Sequence, residues 1–522
     1  MATSAYADLS REELVSRLEA LELNQSRPQP QPQPVASSST SKLPSPSPSP
    51  AQARPPKENV TIKKPKATKT FDYDSHPTRH VALLLTYHGW PYSGLAIQSD
   101  PRLITVESEL LKALEKTHLI DPAKGFEGCE YSRCGRTDRG VSGEGQVVNL
   151  YVRSRSKGGL GWREAVTPRS RSVVETIEGT EDGEGAEGAE GAGSSNNAPK
   201  PKVKVKKQPN SSEVEVEYEY PYPRLLNGVL PPSIRVVAWS PVSPDFNSRF
   251  GCTYRHYKYP FHLSDTLPLH LARMREGAES LVGEHDFRNF CKLDGSKQIL
   301  NHSRRVVRAY FDEEEVETEA GLKGLVVFNL IGTAFLWHQV RHIIGALFLI
   351  GRGLEDVGLI KELLDTEKNP SRPSYYMGDP LPLTLHECGY PEPIDWRMGP
   401  YDGPLLTLPP SELTSSIKAK AMEGRDKLEK ELVAMKEEME LKLYQVGGGL
   451  RTLRKVFPTR EDRKEDEKLA SYQVGGGDVI ITGKYKPVME RPRGETPDVV
   501  NRKWREAKER QGRVFPPAPA IQ

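Results

Sequence analysis

RCGRTDRGVSGEGQVVNLYVR, residues 133–153, is the stretch on which the reading of the fold turns. Its second half, GQVVNLYVR (145–153), is an apolar, β-branched run of strand length. Its first half sets Arg133, Arg136 and Arg139 around one acid, Asp138, and threads glycines at 135, 140, 143 and 145 through the turn. Those glycines let the backbone take positive φ and let a large ligand come close. Two readings compete for the loop: a solvated Asx turn, which the spacing alone favours, and a carboxylate working on a polyanion. Flanking arginines hold such a carboxylate ionised and attract phosphates.

Outward from this loop, HVALLLTY (80–87) has the pattern of a buried strand, and TVESELLKALEKTHL (105–119) places Val106, Leu110, Leu114 and Leu119 on one helical face. Downstream come a short helix PRLLNGVL (223–230) and the strands SIRVVAW (233–239) and CTYRHYKYPF (252–261). A helix over 267–283, strands over 304–311 and 323–332, and a long apolar helix over 333–353 follow. This alternation in two comparable halves predicts an α+β fold with a cleft between two sheet-bearing lobes. A charged helix is predicted over 411–443, and the hexapeptide YQVGGG occurs at 444–449 and again at 472–477, too few copies for a solenoid.

The 522 residues are not all of one kind. Apolar residues make up only 36%, and 44 prolines cluster in a few places, which predicts unfolded segments beside an ordinary core. Residues 9–23, LSREELVSRLEALEL, space Leu14, Leu18 and Leu21 as a short helix with Ser10 and Glu13 as a capping box; a partner-binding coiled coil and a solvated helix both fit. The expected organisation is a helical segment 1–25, a disordered proline- and serine-rich linker 26–78, and an N-terminal lobe 79–262 interrupted by a disordered insertion 155–213. A C-terminal lobe 263–395 and a charged helical extension 396–522 complete it. Residues 175–190 carry seven acids and no base, so the overall charge of +2 leaves about +9 on the remainder, a balance that permits a nucleic-acid partner. IKKPKATK (62–69) reads either as a nuclear address or as linker charge. No run of transmembrane length and no signal-peptide stretch are found, and five scattered cysteines (129, 134, 252, 291, 388) fit reduced thiols inside the cell.

Two further clusters carry candidate chemistry. In FNSRFGCTYRHYKYPF (246–261), Arg249, Arg255 and Lys258 alternate with Tyr254, Tyr257 and Tyr259. On a strand, Tyr257 and Tyr259 share a face with Arg255, while His256 and Lys258 share the other. Rings and cations together suit unstacked nucleotides, and an ordinary tyrosine-packed sheet face is the equal alternative. In FLWHQVRHIIG (335–345), Arg341 stands on an otherwise apolar helix and calls for an anionic partner. His338 and His342 are four residues apart, but Gln339 stands where a zinc protease carries glutamate, and no third ligand is evident. Packing or RNA contact is the better account of both histidines.

Taken in order, these stretches resemble the TruA-type tRNA pseudouridine synthases. Tyr87, Gly89, Tyr92, Gly94 and Gln98 meet the family's opening pattern, and GRTDRGV (135–141) is similar to its hallmark. NGVLPPSIRVV, FNSRFGCTYRHYKY and FLWHQVRHIIG supply three more motifs over roughly 79–392. DFRNFCKLD (286–294) and KYKPVMERPRGET (484–496) look like the eukaryotic branch acting at tRNA positions 38 and 39. Ser142 and Gly143 depart from the usual His-Ala of bacterial members, and Leu95 and Ala96 from Trp-Gln.

The resemblance implies a pseudouridine synthase fold of two ferredoxin-like or RRM-like lobes with antiparallel sheets around a central cleft. It implies that Asp138 is the essential carboxylate, attacking ribose C1′ or abstracting a ribose proton, with no cofactor and no metal. Arg341 is expected to pair with Asp138, Tyr257 to stack on the target uracil, and Arg136 to hold the flipped nucleotide. Arg249, Arg255 and Lys258 are expected to bind substrate phosphates. The implied partners are tRNA and a second copy in a homodimer, with no membrane, and the implied location is nucleus, cytoplasm or both. A non-catalytic tRNA-binding protein and an enzyme for other tRNA positions are the rivals.

Overall fold

HVALLLTY becomes strand β1 (Thr78–Tyr87), with most residues buried because both faces are covered. The computed structural model describes residues 71–166, 218–263, 269–312, 325–407, 409, 411–457 and 485–513, and the backbone of 471–474 and 477–480. β1 pairs antiparallel with β3 (Ser142–Arg153), with the short β4 (Trp162–Arg163) and with β5 (Ile234–Pro241); β2 (Ser132–Arg133) lies on β3. Helices α1 (Val106–Lys116) and α2 (Tyr222–Asn227) cover this half. α1 starts at Thr105 in a capping box with Ser108, a device worth about 1 kcal/mol, and buries Val106, Leu110, Ala113 and Leu114 against Leu83, Leu85, Val148 and Leu150. Thr117 supplies the C-cap.

The second half runs through β6 (Tyr254–His262), helix α3 (Leu271–Glu279), β7 (Gly283–Asp286), β8 (Ser303–Phe311) and β9 (Leu325–Gly332). Helices α4 (Gln339–Gly351) and α5 (Leu359–Leu364) and strand β10 (Thr384–Gly389) follow. Every residue of α4 is buried, so this helix is the spine of the second hydrophobic cluster.

The expected pair of antiparallel sheets is replaced by one sheet of ten strands, eight of them in the order β4-β1-β3-β10-β6-β9-β8-β7 and the other two, β2 and β5, on β3 and β1. β10 makes the difference. It pairs parallel with β3, Thr384 opposite Ser142, and antiparallel with β6, so the sheet is mixed. Its sequence, TLHECG, is short and half polar, and nothing in its local pattern announces a central strand.

Other boundaries shift as well. Residues 333–338, expected to be helical, precede α4 as a turn, because His338 takes left-handed angles (φ 63°, ψ 8°) and α4 begins at Gln339. The charged helix is two: α6 (Ser415–Ala421) and α7 (Arg425–Val456), and α7 runs through the first YQVGGG. Tyr472, Gln473 and Val474 of the second copy lie in β11 (Ser471–Val474) and its last glycine in β12 (Gly477–Ile480), an antiparallel pair. A last helix, α8 (Pro497–Glu509), places Asn501 so that its amide donates to Ile299 O (2.9 Å).

Residues 71–77 and 155–166, assigned by the sequence pattern to unfolded segments, are packed: Phe71 stacks on His76 and His118, and the Trp162 indole donates to Ser156 O (2.9 Å). The leucine-spaced helix at 9–23, the basic tract at 62–69 and the acidic run at 175–190 lie outside the described residues. The extension also folds back. Arg397 bridges to Trp239, Asp402 pairs with buried Arg79, and Glu431 of α7 accepts from Arg235 (3.1 Å). Among the described residues no helix is long and apolar enough to cross a membrane.

Candidate active site

The loop 134–141 leaves β2 and enters β3 where β3 meets β10, so it sits at the junction of the two halves. Ser142 N donates to Leu383 O (3.1 Å) across that junction. The segment Tyr87–Leu95 is its floor. Leu95 N bonds Thr137 O (3.2 Å), Gly140 N bonds Tyr92 O (3.3 Å), and the Tyr87 hydroxyl meets Thr137 Oγ1 at 2.8 Å. Gly94, at φ +103°, lies so close that a Cβ there would come 3.1 Å from Thr137 O. The spaced tyrosines and glycines of the opening motif are therefore the mould of the GRTD loop. Ser142 and Gly143 find their reason here too. The Ser142 hydroxyl accepts from Gly89 N (3.0 Å), and a Cβ at Gly143 would strike the Tyr87 ring at 2.6 Å.

Thr137 is buried and anchored; Asp138, next to it, is held out with its side chain 25% exposed. Three groups from the turn into α4 surround the carboxylate. His338 Nε2 is 3.6 Å from Asp138 Oδ2, and Arg341 and the Trp337 side chain both act to hold the carboxylate ionised. Burial pushes the Asp138 carboxyl above its ordinary value, and Arg341 and Trp337 only partly oppose that rise. Burial, joined by Arg341, Lys292 and Arg372, pulls His338 down to about 4, so its ring is neutral at physiological pH.

The expected contact between Arg341 and Asp138 is not closed: no guanidinium nitrogen lies within 4.0 Å. Arg341 is instead tethered by Nε to Gly378 O (2.7 Å), which holds its charge beside the segment 378–381. Tyr257 is brought to the same place. It is buried, its ring meets Phe335 edge-on at 5.3 Å, and its phenol is driven upward by burial first and by nearby groups including Asp138. A cavity of about 430 Å³ opens beside these residues, lined by Trp90, Arg139, Gly140, Arg341, Pro380 and Leu381.

The remaining cations divide. Arg136 and Arg249 are exposed, Arg249 lying over the ring of exposed Phe250. Arg255 is spent on the backbone, donating to Thr333 O (2.5 Å), Cys134 O (3.0 Å) and Arg249 O (3.0 Å). Lys258 points with His256 to the face opposite Tyr257 and does not join Asp138. Arg133, the first arginine of the loop, turns away from Asp138 and pairs with Glu107 of α1.

Several members of the site escape a reading by spacing. Trp90, Trp337 and Leu381 carry no polar signature that marks them, and His338 offers only a weak metal pattern. Cys134, Cys252 and Cys388, scattered in sequence, interact with one another behind the loop as free thiols. His342 stacks 6.4 Å from His338 and contacts Arg372, and among the described residues no cluster of three or more histidine, cysteine or acidic residues forms a metal site.

Similarity to known proteins meets this geometry. A family described as tRNA pseudouridine synthase matches residues 278–391, the span that includes α4 and β10. The tRNA pseudouridine(38/39) synthase of Saccharomyces cerevisiae is 35% identical over 398 residues, 76% of this chain and 73% of that protein. The Homo sapiens protein of the same name is 36% identical over 339 residues, 63% of this chain and 59% of its own. tRNA pseudouridine synthase A of Methanosarcina mazei is 28% identical over 321 residues, 60% of this chain and 86% of its own. Identity at this level, sustained across both halves of the sheet, reflects common descent, and the chain belongs to the tRNA pseudouridine synthase family.

Proposed function

We propose that this protein isomerises uridine to pseudouridine at positions 38 and 39 of the tRNA anticodon stem-loop, with Asp138 as the reacting carboxylate. The observation that carries the reading is the state of Asp138: a largely buried acid at the junction of the two halves, free of any tight ion pair, near Arg341 and Tyr257, with its chain neighbour Arg139 and Arg341 lining a cavity. Glycosidic chemistry in RNA requires the target nucleotide to leave the stack, and a cleft edged by exposed Arg136, Arg139 and Arg249 suits an extruded nucleotide and its phosphates.

Asp138 acts at the ribose, at C1′ or on a ribose proton, and the C1′–N1 bond breaks. The uracil turns, C5 bonds to C1′, the C5 proton leaves and N1 gains one, so atoms balance without a cofactor. Arg341 keeps Asp138 ionised, Tyr257 packs on the uracil, and Arg136 helps hold the target nucleotide out of the stack. Arg255 serves as a brace between β6 and the loop. Arg249 and Lys258 bind the RNA backbone, Lys258 from the outer face. The two hydrophobic clusters support a reading of the sheet as two ferredoxin-like lobes fused at β3–β10. We extend the proposal to a homodimer with tRNA across both subunits, in nucleus, cytoplasm or both.

The test is pseudouridine mapping on tRNA incubated with the wild-type protein and with Asp138→Ala. Conversion at 38 and 39 that disappears in the variant, while tRNA affinity stays within about threefold, supports the reading, since phosphate contacts carry most of the affinity. Conversion elsewhere in tRNA overturns the position. Binding without conversion by the wild type overturns the enzyme.

A further inference from the structure

The roles above leave one corner of the site without a purpose: the turn at Trp337–His338. His338 sits in left-handed backbone, which histidine tolerates better than most residues but which is uncommon for any non-glycine residue. In extended chain two consecutive side chains point to opposite sides. Here the left-handed turn directs both toward the same carboxylate, His338 Nε2 lying 3.6 Å from Asp138 Oδ2 and the Trp337 side chain acting to hold that carboxylate ionised. His338 Nδ1 is buried without a partner, a state that must be compensated elsewhere. The rings of Trp337 and His338 lie 4.8 Å apart.

The corner is braced from behind. Lys292 N donates to Trp337 O (3.0 Å), and Lys292 Nζ stands 4.7 Å over the Trp337 ring. Lys292 belongs to DFRNFCKLD, whose Phe287 and Phe290 are fully buried. That motif therefore reaches the site from a distance, by pinning the indole.

We propose that Trp337 and His338 are a pair of positioning residues whose ring N–H groups aim Asp138 and favour its ionised form. The proposal rests on Asp138 being the reacting carboxylate. His338 is then the Nε2–H tautomer with a bare Nδ1. The cations facing it, Arg341, Lys292 and Arg372, together with neighbouring His342, disfavour a second proton, so it donates a hydrogen bond without exchanging charge. Asp138 is faced by Arg341, Trp337 and His338 from the turn and α4, by Tyr257 from β6, and is flanked by Arg136 and Arg139 in its own loop.

Single-turnover pseudouridine formation with full-length wild type, H338Q, H338N and W337F, across pH, tests the pair, with Asp138→Ala as the inactive reference. Asparagine tolerates left-handed backbone but cannot reach the carboxylate, whereas glutamine keeps an N–H near the Nε2 position. H338N should slow the chemical step about 10- to 100-fold, as expected for losing a hydrogen bond to a charged group, with tRNA affinity unchanged. H338Q should recover most of that loss. In H338N and W337F the acid limb of the rate profile should move to higher pH, because Asp138 without a donor holds its proton more tightly. H338N with wild-type rate, an unmoved acid limb in W337F, or equal losses in H338N and H338Q would overturn the proposal. Should the His338 variants fail to fold, W337F, which keeps the ring and the backbone, carries the pH test alone. A wild-type protein that forms no pseudouridine would instead overturn the functional reading beneath it.

Discussion

Glu107 and Asp138 are two acids bordered by the same arginine-rich stretch, and they end in opposite states. Glu107, 2% exposed in the first turn of α1, accepts from Ile97 N (2.9 Å), from the Tyr131 hydroxyl (3.0 Å) and from Arg133. Every direction around it is filled. Asp138 has no such shell: its charge is met by an imidazole at 3.6 Å, an indole and a guanidinium beyond 4.0 Å. A saturated carboxylate near a helix N-terminus holds α1 to the loop. An undersaturated one keeps a proton affinity and a free lone pair, which is what a reacting group requires. The arginine count around an acid therefore says little; which guanidinium is tethered elsewhere decides.

The sharpest way to break the contrast is to remove each acid. Asp138→Asn should lower turnover by on the order of 10⁴-fold or more, the scale of losing a nucleophile or base. It should not lower the melting temperature at neutral pH. The sign follows from the raised pKa: the folded chain holds the Asp138 proton more tightly than the unfolded one, so this group favours folding at low pH and that contribution is lost as pH rises through the folded value. A clear drop in melting temperature at pH 7 would place Asp138 with Glu107 as a structural acid.

Arg341→Leu comes next. It removes the positive charge that acts on Asp138 and should cost about 10²- to 10³-fold in rate, with the acid limb displaced upward. A fully active variant would mean that Trp337 and His338 suffice. Glu107→Ala should do the reverse of the Asp138 change: stability falls by about 3 kcal/mol, as for breaking a buried pair, while the folded fraction keeps its turnover. Thermal unfolding and active-site-normalised rates separate the two. The smallest effect is expected from Tyr87→Phe, which removes only the hydrogen bond to Thr137 and should cost about 1 kcal/mol of stability and little rate.

How much of this was legible beforehand depends on range. The faces of α1, β1 and β6 follow from periodicity, because burial on one side imposes a repeat that a sequence displays. Asp138, Tyr257 and Arg341 were legible through their motifs, and the structure gathers the motifs at one junction. Arg133 and Arg255 misled. Both are cations in the right stretches, yet one is consumed by Glu107 and the other by three carbonyls, partners that local sequence does not name. The sequence reads His338 as a packing or RNA-contacting histidine, and only its left-handed backbone and its distance to Asp138 point to a donor.

The two YQVGGG copies draw the same line. One is carried inside α7, whereas Tyr472, Gln473, Val474 and Gly477 of the other lie in the β11–β12 pair, so identical residues take helix in one context and strand in another. By itself the sequence determined the α+β class, the amphipathic faces, the low-complexity segments and the candidate acid, since composition and short-period patterning express hydrophobic burial and chain entropy directly. Tertiary structure alone decided the single mixed sheet, the insertion of β10 between β3 and β6, and which acid remained free to react. Those outcomes depend on pairings between residues more than a hundred positions apart, such as Gly145 lying so close to His386 O that a Cβ would come within 2.4 Å, and no local pattern encodes the geometry of such a meeting.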